Sequence, residues 1–314
     1  MIKKLGQHFL KNEAVAKKII DAIAPENGDT IIEVGPGHGE LTRELLGYPV
    51  HIIAIEKDSA LVDFLEKKFQ ITNSPPKEDS PLEDKLQTNS KIRKNNLPRF
   101  EIIHGDVLKV LPKLIESGKL PSGGGNYKLV GNIPYYLTGF LFRTISELPL
   151  LPTRTVFMVQ KEVALRAVAT PPRMNLLAAS IQLWADPKIL MTVGKNDFSP
   201  KPKVDSAVIR LETRRDVKTR SKKSDHTQKR RYFDALHVLF KQPRKTIVNN
   251  ITLGFRSWEK RNNTKGGWGS ANKPEGKFLE EHLGRIGVRP KDRPQNLRIE
   301  DIKKISEMLY NYSE

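Results

Sequence analysis

Strand-like apolar runs alternate with helical patterns along the first part of this chain, and no other feature narrows its possible folds so far. Thr30-Ile31-Ile32-Glu33-Val34 precedes a glycine loop and the amphipathic segment Glu40–Leu46, and His51-Ile52-Ile53-Ala54-Ile55 precedes a helical pattern from Ser59 to Phe69. Phe100-Glu101-Ile102-Ile103 leads to His104-Gly105-Asp106, and Tyr127–Val130 and Thr155–Val159 each run into a further helical pattern. Parallel strands need crossover connections, which helices supply. The alternation therefore predicts an α/β fold with a doubly wound, mostly parallel, Rossmann-like sheet. Such sheets bind ligands beyond the carboxyl ends of their strands, and the candidate functional residues of this half fall there.

The loop Gly35-Pro36-Gly37-His38-Gly39 lacks the Gly-Lys-Ser/Thr ending of a phosphate-binding P-loop, and Glu40 stands where a dinucleotide fingerprint needs its last glycine. A tight Gly-x-Gly-x-Gly turn with Glu33 inside the preceding strand suits a ligand other than a pyrophosphate. S-adenosyl-L-methionine is such a ligand, cationic at sulfur and carrying an amino-acid tail. Glu56 ends the second strand, 17 residues after Gly39, where a carboxylate can take both ribose hydroxyls. Asp106 ends the third, where it can accept from the cofactor's adenine amine. Each carboxylate alone also reads as a solvated turn residue. Three at successive strand ends point to a cofactor cleft walled by Glu33, Gly35, Gly37, Glu56 and Asp106.

Asn132-Ile133-Pro134-Tyr135 follows the apolar run Tyr127–Gly131. By itself the tetrapeptide reads equally as a turn, since asparagine and proline both favour turns. At the end of a parallel strand it also fits a particular chemistry. The 6-amino group of adenine is a poor nucleophile because its lone pair is delocalised into the ring. The Asn132 amide oxygen and the Ile133 carbonyl, each accepting one N–H, would localise that pair, while the Tyr135 ring stacks on the base. Pro134 fixes its own φ and biases Ile133 to an extended conformation, which would aim that carbonyl inward.

The 314 residues have room for one large and one smaller domain. The formal net charge of +18 is uneven: residues 1–205 carry 28 Lys and Arg against 23 Asp and Glu, residues 206–314 carry 26 against 13. A basic surface of this kind predicts a polyanionic partner, nucleic acid first and an anionic membrane second. No apolar run approaches membrane-spanning length, and Lys11, Glu13 and Lys17 interrupt the stretch a signal peptide would need, so a soluble, cytoplasmic protein is expected. With no cysteine and no paired histidines, the chemistry is expected to need no metal.

Two stretches break the pattern. Residues 71–98 are polar and proline-bearing without periodicity, which predicts a long surface loop or disorder. Residues 213–230 are rich in Lys and Arg and read as a solvated connection between domains, or an arm that touches RNA. Around them the sequence divides into a domain at 1–212 and a helical domain at 231–314, with helices at Arg231–Lys241, Arg244–Ile251, Lys277–Ile286 and Glu300–Tyr310.

Five segments together resemble the ribosomal RNA adenine dimethyltransferase family over nearly the full length. They are Leu5-Gly6-Gln7-His8-Phe9-Leu10, Glu33–Gly39, Asn132–Tyr135, Gln160-Lys161-Glu162-Val163 and Phe198–Ser206. The resemblance implies a class I methyltransferase sheet with a smaller helical C-terminal domain. It also implies S-adenosyl-L-methionine as methyl donor and adenine 6-amino groups as acceptors, two adjacent ones in a hairpin loop near the 3′ end of 16S rRNA. The N-terminal segment would cap the cofactor, which makes His8 and Leu10 contacts, although asparagine is the commoner family residue at His8. Gly35, Glu56, Asp106 and Asn132 carry over as cofactor or substrate contacts, and Phe198 as the second aromatic against the target base. Phe240–Thr246 and Arg293–Leu297 resemble the small-subunit, ribosome-maturation branch more than the branch that modifies 23S rRNA in macrolide resistance. A monomer acting on the immature small ribosomal subunit is implied. A non-catalytic nucleic-acid-binding factor on the same fold is the competing class, against which intact Glu56, Asp106 and Asn132–Tyr135 argue.

Overall fold

The computed structural model describes residues 8–69, 98–118, 120, 126–214, 222–262 and 276–311. The expected insertion at 71–98, apart from Pro98, and residues 215–221 of the basic connection lie outside them. The chain divides into two compact units, Met1–Leu165 with Asp186–Thr213, and Arg166–Ala185 with Arg214–Glu314.

The first unit is built on a seven-stranded sheet. Its strands are β2 (Thr30–Val34), β3 (His51–Glu56), β4 (Arg99–His104), β5 (Tyr127–Asn132), β6 (Arg154–Gln160), β7 (Ala185–Val193) and β9 (Ser206–Thr213), in the order β4-β3-β2-β5-β6-β9-β7. The pairs from β4 to β6 are parallel, and β9 runs antiparallel to β6 from Gln160↔Ser206 to Arg154↔Glu212. Every residue of β2 is buried, Thr30 and Glu33 included, as a central strand covered on both faces requires. The connecting helices are α2 (Glu40–Leu45), α3 (Ser59–Phe69), α4 (Val107–Glu116) and α5 (Thr138–Glu147), with α1 (Glu13–Ile23) ahead of the sheet and α6 (Lys161–Ala167) and α7 (Leu176–Gln182) between β6 and β7. Helix α1 starts on Asn12, whose side chain accepts from Val15 N–H, and buries Ala16, Ile19, Ile20 and Ile23 in one core with Ile31, Val130 and Val156. A two-stranded ribbon of β1 (Phe9–Leu10) and β8 (Phe198–Ser199) pairs Leu10 with Phe198.

The doubly wound, mostly parallel sheet is the one the alternation predicts. The sequence reading did not anticipate α1, β7 or β9, because neither β7 nor β9 follows the strand–helix alternation.

The second unit is helical. Helices α8 (Lys222–Leu239), α9 (Ile247–Asn262), α10 (Gly276–Arg285) and α11 (Ile299–Asn311) bury Tyr232, Ala235, Leu236 and Leu239 at i, i+3, i+4 and i+7, with Ile251, Leu283, Ile302 and Ile305. Two sequence expectations need correction. Residues 222–230 are the first half of α8 rather than connection; their polar composition hid a helix whose apolar stripe begins only at Tyr232. Residues 166–185, assigned to the first domain by chain order, belong to the second unit. There the Tyr232 hydroxyl donates to Ala179 O at 3.2 Å and Arg214 N–H to Trp184 O at 2.9 Å. A reading along the chain cannot see a segment that leaves a domain and returns.

Helix α9 also organises the turn before it. The wholly buried Asn250 amide accepts from Gln242 N–H at 2.9 Å and donates to Gln242 O, Lys245 O and Thr246 O. Among the described residues no helix is long and apolar enough to cross a membrane.

Candidate active site

Strand order reverses between β2 and β5: β3 and β4 extend the sheet on one side of β2, while β5 and β6 extend it on the other. A doubly wound sheet opens a crevice at that point, and here it is a cavity of about 300 Å³, within the size range of small-molecule sites. All twelve residues singled out in the sequence line it: His8, Leu10, Glu33, Gly35, Gly37, Glu56, Asp106, Asn132, Ile133, Pro134, Tyr135 and Phe198.

The glycine loop crosses from β2 to α2 with Gly35 and Gly37 in the left-handed region, at φ +63° and +60°, which side chains rarely adopt. A Cβ at Gly37 would lie 3.0 Å from the Phe9 ring, which itself stacks on His38 with centroids 4.0 Å apart. A Cβ at Gly35 would meet open space. Protein therefore fills the turn at Gly37, and the backbone at Gly35 is left accessible to a ligand.

The three acids differ in environment. Glu33 is 1 % exposed, and its Oε2 accepts from Thr42 Oγ1 at 2.7 Å. Burial pushes its pKa up to about 8, against the opposing Thr42 hydrogen bond. Glu56 Oε1 accepts from the N–H groups of Lys57 and Asp58 at 2.8 and 3.0 Å, donors that have lost sheet partners where β3 ends. Its Oε2 takes one longer bond, 3.3 Å from Gly37 N–H, and is the oxygen with room for a ribose hydroxyl. Asp106 caps α4 by accepting from Leu108 N–H at 3.0 Å and pairs with Lys57 Nζ at 3.0 Å. Burial would raise its pKa, but the bonds from Lys57 and Leu108 outweigh that and hold it below its ordinary value. Open backbone at Gly35, a positioned Glu56 oxygen and a capping Asp106 at consecutive strand ends fit an adenosyl-amino-acid ligand.

At the β5 end, Ile133 N–H donates to Met158 O at 3.0 Å, Pro134 is extended (φ −54°, ψ 134°), and a single 3₁₀ turn, Tyr135–Leu137, leads into α5. Asn132 Nδ2 donates to His8 O at 2.8 Å. A carbonyl can only accept, so the amide orientation is fixed and Oδ1 remains as the acceptor. The Tyr135 hydroxyl pairs with Ser206 Oγ at 3.1 Å, and its ring centroid lies 5.7 Å from that of His8.

Residues 8–12 are tied to 197–200. His8 Nδ1–H donates to Pro200 O at 2.8 Å, Lys11 N–H to Asp197 O at 2.7 Å, and Asn12 Nδ2 to Asp197 Oδ1 at 2.8 Å. The ribbon thus brings His8, Leu10 and Phe198 to one wall from distant parts of the sequence. Phe198 is 3 % exposed, lines the cavity and packs in the core with Leu10.

Sequence reasoning missed Lys57, Thr42 and Ser206, whose roles come from contacts no local pattern records. It also missed Tyr136 and Phe140, one and five residues after Tyr135. Both line the cavity, yet they are 53 % and 64 % exposed, so they stand at its mouth. Two solvated aromatics at i and i+4 beside an active-site motif are a signal the sequence does contain. Among the described residues no group of His, Cys, Asp and Glu could hold a metal.

A family model described as ribosomal RNA adenine dimethylase matches residues 2–268. A ribosomal RNA small subunit methyltransferase A of Dehalococcoides mccartyi is 33 % identical over 303 residues, covering 96 % of this chain and 86 % of that protein. One of Clostridium botulinum is 31 % identical over 312 residues, covering 98 % and 94 %. In fold, the chain is similar to a dimethyladenosine transferase from Plasmodium falciparum, with a TM-score of 0.65, 24 % identity and 98 % of each chain covered. It is also similar in fold to the 23S rRNA methyltransferase ErmE, with a TM-score of 0.61, 20 % identity, and 96 % of this chain and 99 % of that one covered.

Proposed function

This chain belongs to the ribosomal RNA adenine dimethylase family, and on that premise we infer that it is a 16S rRNA (adenine-N6)-dimethyltransferase using S-adenosyl-L-methionine. The observation that carries the chemistry is Asn132. Its Nδ2 is committed to His8 O, so Oδ1 is held as an acceptor on the cavity wall, at the switch point and beside Tyr135.

The cofactor supplies a methyl group made electrophilic by its sulfonium. Glu56 Oε2 and Asp106 hold the ribose and adenine at the β3 and β4 ends, with Gly35 leaving backbone room between them and β5. His8 and Leu10, on the ribbon, close over that end. Asn132 Oδ1 and the Ile133 carbonyl accept the two N–H bonds of the target amine, and Tyr135 stacks on the flipped base from one side with Phe198 behind it. Alkylation acidifies the amine, so no base need act before attack. After one transfer an N–H remains, and Asn132 can align it again; the sequence ends when none is left. Positioning and exclusion of water carry the rate.

The base must leave its stack to enter, so an exposed hairpin end is the substrate, with two adjacent adenines near the 3′ end of the small-subunit RNA. Tyr136 and Phe140 at the mouth stack on the nucleotides next to the flipped one. The helical unit, with exposed Lys241, Arg244 and Lys245 on the Asn250 turn, contacts phosphates of the immature subunit. We place the protein in the cytoplasm as a monomer. A 23S-directed activity has only the fold likeness in its favour, whereas the relatives above 30 % identity are named for the small subunit.

Single-turnover methylation of small subunits lacking the modification, with mass spectrometry of the product, tests this. Wild type should yield dimethyladenine in 16S and none in 23S RNA. Asn132→Ala should slow transfer about 100-fold, the scale of losing one positioned polar group, and accumulate the monomethyl product while RNA affinity holds. Tyr136→Ala with Phe140→Ala should weaken RNA binding and leave the saturated transfer rate near wild type. An Asn132→Ala enzyme that dimethylates at the wild-type rate would reduce the motif to a turn.

A further inference from the structure

The strand that walls the cavity at its N-terminal side is very short. β1 and its ribbon partner β8 have two residues each, and a two-stranded ribbon is marginally stable by itself. The bonds from His8, Lys11 and Asn12 run to residues 197–200, so they join the two halves of the ribbon to each other. Its tie to the β5 end of the sheet is the Asn132 amide on His8 O. Its tie to the β2 end is aromatic. The Phe9 ring stacks on His38 of the glycine loop, with centroids 4.0 Å apart and planes 25° from parallel. His38 in turn meets the Phe64 ring of α3 edge-on at 5.6 Å, and Lys68, one turn along α3, donates from Nζ to His38 O at 2.6 Å. The glycines make room for these rings: a Cβ at Gly37 would lie 3.0 Å from Phe9, and one at Gly39 would lie 2.6 Å from Phe69 of α3.

His38 is exposed and does not line the cavity, so it acts on the site only through what it touches. We propose that His38 is a positioning residue for methyl transfer: its ring latches Phe9, and with it the strand that covers the cofactor and orients Asn132, to the glycine loop. The proposal rests on the reading of the cavity as a S-adenosylmethionine site with the target amine at Asn132. On that reading the neighbours of Phe9 do two things. His8 and Leu10 close over the cofactor, and His8 O holds the Asn132 amide nitrogen so that Oδ1 faces the amine. The ribbon spans the switch point, fixed through Asn132 on the β5 side and through His38 on the β2 side.

Releasing the β2 side should therefore disturb both ligands, although His38 touches neither. The cap opens more often, so the cofactor leaves faster. His8 O moves against Asn132, so the amine is aligned less well, most of all for the second transfer. A stacked aromatic pair shifts an equilibrium by about 2- to 10-fold, which sets the size of each effect.

Three measurements on the full chain test this: the S-adenosylmethionine dissociation rate by stopped-flow displacement, the single-turnover transfer rate at saturating substrate, and the ratio of monomethyl to dimethyl product. Folded His38→Ala should release cofactor about 2- to 10-fold faster, transfer more slowly by a similar factor and accumulate the monomethyl product, with RNA affinity unchanged. His38→Phe keeps an aromatic face for Phe9 and should restore all three, which a general loss of stability would not predict. Should His38→Ala fail to fold, His38→Leu, which keeps bulk and loses the stack, takes its place with the same expectation. Cofactor release and product ratio at wild-type values in the folded variant would overturn the proposal, and so would a His38→Phe enzyme as defective as His38→Ala. An absence of S-adenosylmethionine binding heat in wild type would instead overturn the cofactor reading on which it rests.

Discussion

At the scale of single residues, the polar side chains of the site are held by hydrogen bonds to their surroundings. Asn132 gives its amide nitrogen to His8 O and keeps its oxygen; Glu56 gives Oε1 to two backbone N–H groups and keeps most of Oε2; Asp106 caps a helix and pairs with Lys57. At Asn132 and Glu56 the commitment fixes the side chain without occupying its functional atom, whereas both Asp106 oxygens are engaged, Oδ1 by Leu108 N–H and Oδ2 by Lys57 Nζ. Glu33 also affects stability. Its folded pKa of about 8 lies above the ordinary 4.5, so between those values the folded state binds more protons than the unfolded one. Its contribution is therefore fully present at low pH and is lost as pH rises from about 4.5 to 8, at up to about 1.4 kcal/mol per pH unit. Urea titrations of wild type and Glu33→Gln across pH 5–9 should show this slope in wild type and a flatter profile in the variant.

At the scale of elements, two devices hold irregular backbone in place. The β1–β8 ribbon clamps the N-terminal segment over the cavity, and the glycine loop accepts the Phe9 ring where a side chain at Gly37 would stand. In the helical unit, Asn250 satisfies four backbone groups of the turn that presents Lys241, Arg244 and Lys245. Asn250→Ala would leave several of those groups unpaired beside a buried site, at about 1–3 kcal/mol for each that water cannot reach. The expected result is a lower melting temperature and weaker RNA binding, with S-adenosylmethionine affinity unchanged by calorimetry. A variant that melts as wild type does would show that the turn holds itself. Asn250 is invisible in sequence, being one more polar residue on an amphipathic helix, whereas the glycine loop was legible because only glycine takes three left-handed positions in five residues.

At the scale of the whole molecule, a net charge of +18 weighted to the C-terminal third makes RNA affinity strongly salt-dependent. For six to ten phosphate contacts, binding should fall by about 10³–10⁵ between 50 and 200 mM salt, and filter binding at three salt concentrations would measure the slope. A flat response would remove the basic surface from RNA recognition. Deleting the C-terminal helices is a poorer test, because residues 166–185 belong to that unit and would lose Tyr232, the partner of Ala179. The sequence alone determined the α/β class, the cofactor loop, the acids at three strand ends and the Asn132 motif. These are local matters: a period of two or 3.6, a glycine where φ must be positive, a polar residue where a strand runs out. Tertiary structure decided the antiparallel β9, the return of 166–185 to the helical unit, the commitment of Asn132 to His8 and the burial of Glu33 without a cation. Each of those depends on contacts between residues far apart in the chain, where hydrogen-bond satisfaction and exclusion of water are settled only after the elements have packed.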